Sequence, residues 1–318
     1  MKISIIGSGR WGSFIAWYLD KIGKDVTLYG RKNSKRFKEL LESRKNTFLT
    51  LPDSIKLTTD LQSIFDADCL IISVGVQNLR ELLNEIKEKV DINIPIILCM
   101  KGIELTTAML PSQIVKDVLG KDKKVLIWVG PGHVQDFTRG IPNCMVIDSE
   151  DKNLIKKFAD SFSSDLIRFY FGTDLIGNEI GAASKNVVGI AAGILDGLNL
   201  SSLKGALMAR ATREIARLIK KMGKDETCAY GLCHLGDYEA TVFSKFSNNR
   251  KFGESLCKGE KFDKLAEGVY TTKSLMILSK KYNVELPITK AVYRVIYEKE
   301  NVKDVLDSLF KRSLKKEF

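Results

Sequence analysis

Gly7-Ser8-Gly9-Arg10-Trp11-Gly12 stands directly behind the apolar run Lys2–Ile6 and opens a stretch with helical spacing. A G-x-G-x-x-G turn in that position meets three demands at once. The first glycine permits a tight turn, the second lets a pyrophosphate approach the backbone, and the third lets helix pack on strand. The helix start behind it offers unpaired N–H groups and the positive end of a dipole to phosphates. The competing reading is a glycine-rich structural turn. Placement between a strand and a helix at the head of the chain favours a dinucleotide site formed around Gly7, Gly9 and Gly12.

Working outward from this loop, short apolar runs recur at Asp25–Tyr29, Cys69–Val74, Ile94–Cys99, Lys124–Val129 and Asn143–Ile147. Amphipathic stretches such as Phe14–Ile22 and Asn78–Lys89 separate several of them. Strand, helix, strand in repeated order predicts an α/β fold with a Rossmann-type, doubly wound parallel sheet. After about Asp174 the texture changes. Helical periodicity runs through Glu179–Leu198, Leu207–Lys221, Thr272–Lys280, Val292–Tyr297 and Val302–Lys311. The expectation is a dinucleotide-binding domain over 1–174 and an all-α, substrate-binding and catalytic domain over 175–318. No internal repeat or low-complexity linker interrupts either.

Composition narrows the function classes. With 44% hydrophobic and 28% charged residues the chain is globular in balance, and no apolar stretch nears the ~18 residues that span a bilayer. Met1–Ile6 imitates a signal peptide, but Arg10 breaks its apolar region, so the chain reads as a soluble cytoplasmic protein. Six scattered cysteines without a C-x-x-C pair, and only two histidines, give no metal site. The 50 Lys and Arg exceed the 39 Asp and Glu, a net +11 that suits anionic partners such as phosphorylated metabolites and dinucleotides. The tail cations Lys311, Arg312, Lys315 and Lys316 read as solvated surface. No aromatic residues are interleaved with a basic stripe, which sets nucleic acid aside.

About 20 residues beyond the glycine loop, NAD-binding folds carry an acidic residue for the ribose 2′-hydroxyl. Here the second strand ends Leu28-Tyr29-Gly30-Arg31-Lys32, with Lys35 and Arg36 behind. Cations in that place favour NADP(H), its 2′-phosphate received by Arg31, with NAD(H) as the alternative and a solvated helix start as the bland reading.

From Ile180 to Leu195 the chain reads IGAASKNVVGIAAGIL, and Lys185 is its only charge. An ammonium there is costly to bury unless paired, and desolvation lowers its pKa, which suits a proton donor. A snorkelling lysine at a domain seam is the alternative. Asn186 is suited to a substrate oxygen, and Asp237 is a natural partner for the ammonium. Lys101-Gly102-Ile103-Glu104 and Gly130-Pro131-Gly132-His133 follow the fourth and fifth strands, at the carboxyl edge where open α/β sheets bind ligands. A lysine there suits both nicotinamide and a substrate phosphate; a plain turn is the bland reading of each segment alone, and together they mark one side of a cleft.

These segments together, with GR at Arg31, EIGAASKN ending at Asn186, GD at Asp237 and EGVYT at Glu267–Thr271, resemble the bacterial-type NAD(P)-dependent glycerol-3-phosphate dehydrogenases along nearly the full chain. The resemblance implies reversible reduction of dihydroxyacetone phosphate to sn-glycerol 3-phosphate, a phospholipid backbone, usually by a homodimer. It makes Lys185 the proton donor and catalytic with Lys101 and Asp237. It assigns Lys101, Gly130, Gly132, Asp237, Ser247, Asn248 and Asn249 to substrate, a set to which Thr241 is added. Arg10, Trp11, Arg31, Lys101, Val134, Asn248 and Glu267 go to the cofactor. The chain departs from the family at Asn248, where arginine is usual, at Gly132, where a hydroxyl residue is usual, and at Asp136, where glutamate is common. Compensation for the lost arginine by Arg250 is expected, because FSNNRKFG still concentrates cations. Two other readings stand beside this one: a β-hydroxyacid-dehydrogenase-like reductase, and a non-catalytic NADP-binding sensor.

Overall fold

A computed structural model describes residues 1–89, 92–314, 316 and 317; Lys315, one of the tail cations, lies outside the described residues. Two compact units divide the chain. The first comprises Met1–Lys101 and Met109–Glu179, the second Gly102–Ala108 and Ile180–Phe318.

The first unit is built on an eight-stranded sheet of β1 (Lys2–Ile6), β2 (Asp25–Tyr29), β3 (Lys56–Thr58), β4 (Cys69–Ile72), β5 (Ile96–Leu98), β6 (Val125–Val129), β7 (Asn143–Ser149) and β8 (Ile167–Phe171). Their order is β3-β2-β1-β4-β5-β6-β7-β8. In the centre β4, β5 and β6 are buried throughout, which explains why they read as unbroken apolar runs. Register is in phase across the centre, with Ile5 opposite Leu28 on one side and Ile71 on the other.

The sheet is parallel as expected from β3 to β6 and again between β7 and β8, while β7 runs antiparallel to β6. Only a turn and the short helix α5 (Val134–Thr138) join them, so the chain has no crossover to carry it back to the far edge. Strand β8 escaped the sequence reading because it is an edge strand. Its residues alternate between buried and exposed, with Arg168, Tyr170 and Phe171 outward.

Helix α1 (Arg10–Lys21) buries Phe14, Ile15, Tyr18 and Leu19 on the sheet. The Tyr18 hydroxyl donates to the Phe162 carbonyl at 2.5 Å, and burial pushes its pKa up to about 12. Also in this unit are α2 (Lys35–Ser43), α3 (Leu79–Lys87), α4 (Pro111–Leu119) and α6 (Lys152–Phe162).

The second unit is helical: α7 (Leu175–Gly197, entering from the first unit), α8 (Lys204–Lys221), α9 (Asn248–Lys258), α10 (Glu267–Lys281), α11 (Pro287–Tyr297) and α12 (Val302–Phe310). Helix α9 was not foreseen. Gly253 is its sole buried residue, so it lacks an apolar stripe, and its start is set by Ser247, whose hydroxyl accepts from Arg250 N.

Two buried carboxylates fasten helix starts, one in each unit. Glu214 on α8 accepts from Ile288 N at 2.7 Å and Thr289 N at 3.0 Å, where α11 begins. Glu179 accepts from Ser112 N at 2.9 Å and Ser112 Oγ at 2.5 Å, where α4 begins. Full burial pushes the Glu179 pKa from 4.5 up to about 7. Between those values the folded chain holds a proton that the unfolded chain has released, so stability falls as pH rises from 4.5 through 7. A glutamine in this place keeps a carbonyl for Ser112 N without a charge to bury. The Glu179→Gln variant should therefore gain on the wild type by up to about 3 kcal/mol between pH 5 and pH 8. Denaturant melts of both proteins at the two pH values measure that difference, and a gap independent of pH would contradict it.

Candidate active site

Helix α7 can bury a lysine because the second unit brings an anion to it. The Lys185 ammonium, in a residue only 7% exposed, lies 2.8 Å from Asp237 Oδ2 and 2.8 Å from Thr241 Oγ1. Asp237 sits on the short turn Leu235–Asp237 and is fully buried. Thr241 belongs to a π-turn, Glu239–Phe243, a wide-wound geometry frequent at functional sites. Its hydroxyl accepts from Lys185 and donates to the Asp237 carbonyl at 2.9 Å. One turn along α7, a Cβ on Gly189 would come within 2.7 Å of Thr241 Cγ2 and 3.2 Å of Asn249 Cβ. The missing side chain is what lets both segments close on the lysine.

Asn249 joins three helices. Its Nδ2 donates to Asn186 Oδ1 on α7 at 3.1 Å, and its Oδ1 accepts from Gly268 N, next to Glu267 at the start of α10, at 2.9 Å. Asn186, which follows Lys185 in α7, and Asn249 are thereby tied to each other. Asn248 is turned elsewhere, its Nδ2 donating to the Leu265 carbonyl at 3.2 Å in an exposed position.

Arg250 is not brought to the others. Its Nε lies 2.5 Å from Asp196 Oδ2, and Lys204 Nζ lies 2.6 Å from the other oxygen of that carboxylate. Asp196 is about 16 Å further along α7 than Lys185 at 1.5 Å per residue. The guanidinium is engaged by that carboxylate and not presented beside Lys185, Asp237 and Thr241. The expectation that Arg250 replaces the missing arginine is therefore revised: it fastens α9 to α7.

In the first unit the glycine loop has the form its residues imply. Gly7 takes φ +115°, and a Cβ there would lie 2.3 Å from the Ser73 carbonyl oxygen. At Gly12 a Cβ would lie 1.8 Å from the Gly7 carbonyl oxygen. At Gly9, the N-cap of α1, a Cβ would meet nothing within 4 Å. That open space faces a helix start, which fits a pyrophosphate. Trp11 packs on Phe14 at 5.1 Å between ring centroids, and the Arg10 guanidinium lies 5.0 Å from the Phe48 ring centre.

Beyond β2, Arg31 and Lys32 line a cavity of about 640 Å³ with Asp60, Gln62, Glu85 and Lys89. Arg31 Nη2 lies 3.6 Å from Glu81 and 4.0 Å from Glu85, so carboxylates share this place with the cations. Past the ends of β5 and β6, Lys101 Nζ donates to the Gly130 carbonyl at 2.6 Å. A Cβ on Gly132 would lie 2.4 Å from the Phe137 ring, which accounts for glycine where a hydroxyl residue was expected. Val134 begins α5 and is buried.

Sequence reading missed the buried carboxylates Glu179 and Glu214, which look like ordinary helix-face acids. It also missed His234, considered there only as a metal ligand. The four-residue spacing of His234 and Tyr238 was the one available hint.

A glycine-loop α/β unit and a helical unit with a buried lysine–aspartate pair define a two-unit, dinucleotide-dependent oxidoreductase. The C-terminal family model for NAD-dependent glycerol-3-phosphate dehydrogenase matches residues 174–307, and the N-terminal one residues 2–155. The chain belongs to the NAD-dependent glycerol-3-phosphate dehydrogenase family. A glycerol-3-phosphate dehydrogenase [NAD(P)+] of Thermoanaerobacter sp. is 34% identical, covering 100% of this chain and 99% of its own. The Fusobacterium nucleatum protein of the same name is 35% identical over 100% and 98%. A crystal structure of glycerol-3-phosphate dehydrogenase from Coxiella burnetii superposes with a TM-score of 0.90 at 27% identity, covering 98% of this chain and 99% of that one. A ketopantoate reductase from Ralstonia eutropha shares the fold alone, with a TM-score of 0.62 at 12% identity over 97% and 99%. Among the described residues no helix is long and apolar enough to cross a membrane.

The Arg250–Asp196 contact yields a prediction. Arg250→Ala should leave KM for a phosphorylated substrate within about twofold while costing about 1–3 kcal/mol of stability, the range for losing a hydrogen bond to a charged group. Steady-state kinetics and a urea melt on one preparation separate these. A strong rise in KM at unchanged stability would return Arg250 to the substrate.

Proposed function

We propose that the chain reduces dihydroxyacetone phosphate to sn-glycerol 3-phosphate, reversibly, with NADPH or NADH. The observation that carries the reading is the buried Lys185–Asp237–Thr241 cluster. Bound nicotinamide cofactor supplies the hydride. Lys185 gives its proton to the carbonyl oxygen, and its charge stabilises the alkoxide as that forms. Asp237 keeps the lysine charged before transfer, Thr241 orients it, and solvent returns the proton afterwards. Asn186 is assigned to a substrate hydroxyl. The phosphate is assigned to the start of α9, where Ser247, Asn248 and Asn249 lie at the N–H end of the helix, and to Lys101, with Gly130 and Gly132 leaving room. Arg250 is no longer in this set.

On the cofactor side, Gly7, Gly9, Arg10, Trp11 and Gly12 are assigned to the pyrophosphate end, Arg31 to the 2′-phosphate, and Lys101, Val134, Asn248 and Glu267 to further contacts. In this reading residues 1–174 serve the dinucleotide and 175–318 the substrate. Cytoplasmic residence, a homodimer and supply of glycerophospholipid synthesis follow from the family resemblance. Reduction of another small keto substrate is disfavoured by relatives that match the whole chain under one activity. A non-catalytic sensor would have no need of the intact lysine–aspartate pair.

Following NADPH oxidation on addition of dihydroxyacetone phosphate tests the reaction directly; no turnover with either cofactor would overturn it. Lys185→Ala should lower kcat by about 10²–10⁴-fold and leave the cofactor Kd nearly unchanged. A variant retaining most of its kcat would remove Lys185 from the chemistry. Cofactor choice is tested at Arg31. Arg31→Asp should weaken NADPH by about tenfold or more, the loss of one charge-assisted contact, and spare NADH. Cofactor titrations side by side measure this, and an unchanged NADPH/NADH ratio would show that Arg31 does not select.

A further inference from the structure

We propose that His234 and Tyr238 are positioning residues that hold Asp237 at Lys185. The inference rests on the reading of Lys185 as proton donor and extends it to two side chains that need touch neither substrate nor cofactor.

His234 is wholly buried, and its Nδ1 lies 2.8 Å from the Gly181 carbonyl oxygen. A carbonyl only accepts, so Nδ1 carries the hydrogen and Nε2 is left with its lone pair. The Tyr238 hydroxyl, 2.7 Å from Nε2, must then donate to it. Thr212 Oγ1 on α8 lies 3.3 Å from the tyrosine oxygen, whose own hydrogen is already committed. Thr212 has the Met208 carbonyl as its nearer acceptor at 2.8 Å, so the directed chain is Tyr238 to His234 to α7. Burial pulls the His234 pKa down to about 4, so the imidazole works as a neutral link at neutral pH.

Both ends of this chain bear on the catalytic pair. Gly181 lies one turn before Lys185, and in an α-helix its carbonyl is the acceptor of the Lys185 backbone N–H. The imidazole therefore grips the turn of α7 that carries the ammonium. On the other side, Asp237 N donates to the His234 carbonyl at 3.1 Å, and Tyr238 follows Asp237 directly. The short turn bearing the carboxylate is pinned before and after the residue that matters. The apolar residues packed with Tyr238 are Val188, Ala192, Ala211 and Val242, with Leu207, Met208, Leu235 and Ile288 against them. They exclude water but prescribe no distance, whereas hydrogen bonds do.

Three variants test the proposal: His234→Ala removes the link, Tyr238→Phe removes one oxygen, and His234→Asn keeps an amide N–H near the place of Nδ1. Misplacement of a catalytic group by about 1 Å can cost up to ~10²-fold in rate. We expect kcat with dihydroxyacetone phosphate to fall about tenfold or more in His234→Ala through such a misplacement, and to recover in large part in His234→Asn. KM should move little. Trace acetylation of the native proteins with acetic anhydride, read by peptide mass spectrometry, gives a measure that needs no turnover. Lys204, also buried and paired with Asp196, is the internal reference. Acetylation of Lys185 relative to Lys204 should rise several-fold in His234→Ala and Tyr238→Phe, and stay near the wild-type ratio in His234→Asn. General loosening would raise both lysines together and leave the ratio unchanged. An unchanged ratio in Tyr238→Phe, which loses only an oxygen, overturns the proposal even if His234→Ala fails to fold. A wild-type protein inactive on dihydroxyacetone phosphate would defeat the proposed reaction, while the labelling ratio would still decide this inference.

Discussion

An ammonium buried in a helix of alanine, glycine and valine keeps its charge only if an anion lies against it, because the helix itself offers no compensation. In this chain that demand reaches well beyond one ion pair. Asp237 must be carried to Lys185 on a turn short enough to be rigid, and Thr241, on a π-turn, must accept from a second of the three ammonium donors. Gly189 must lack a side chain for either to arrive. Much of the local irregularity of the second unit, from residue 231 to 249, can be read as the means of delivering one carboxylate and one hydroxyl to one lysine.

Polar groups do a similar job elsewhere. Glu179 and Glu214 are buried at the starts of helices they do not belong to, and Asn249 spans three helices with one amide. Apolar packing supplies most of the driving force for such a fold, but it is non-directional. Where α9 and α10 meet α7, Asn249 supplies directed contacts while Gly193, Gly253 and Gly268 let the backbones approach. The pairing of Asp196 with both Lys204 and Arg250 belongs to the same scheme.

What the sequence made legible follows from this division. β1 and β2 were readable to the residue, because a glycine loop fixes where one ends and apolar runs mark both. Lys185 was readable because it is a lone charge in an apolar helix. The edge strand β8 and the helix α9 were not, since neither presents an unbroken apolar run or stripe. The expectation for Arg250 went wrong for a geometric reason. Adjacent residues at a helix start point about 100° apart, so closeness to Asn249 in sequence says nothing about a shared direction. The meeting of Lys185 with Asp237, more than fifty positions apart, was a guess from chemical need that only the fold could supply.

The seven residues Gly102–Ala108 group with the second unit although the chain on both sides of them groups with the first. Ile103 and Glu104 are buried there, and the Ser274 hydroxyl donates to the Glu104 carbonyl at 3.1 Å. A protein made this way cannot be parted into two working halves by one cut. A fragment ending at Glu179 would carry Ile103 and Glu104 without the helix that receives them, and a fragment starting at Ile180 would leave Ser274 facing an empty slot. The polypeptide behaves in this respect like a garment stitched through both panels, and its halves should appear in evolution or in the laboratory only when that loop is transplanted along with the helices.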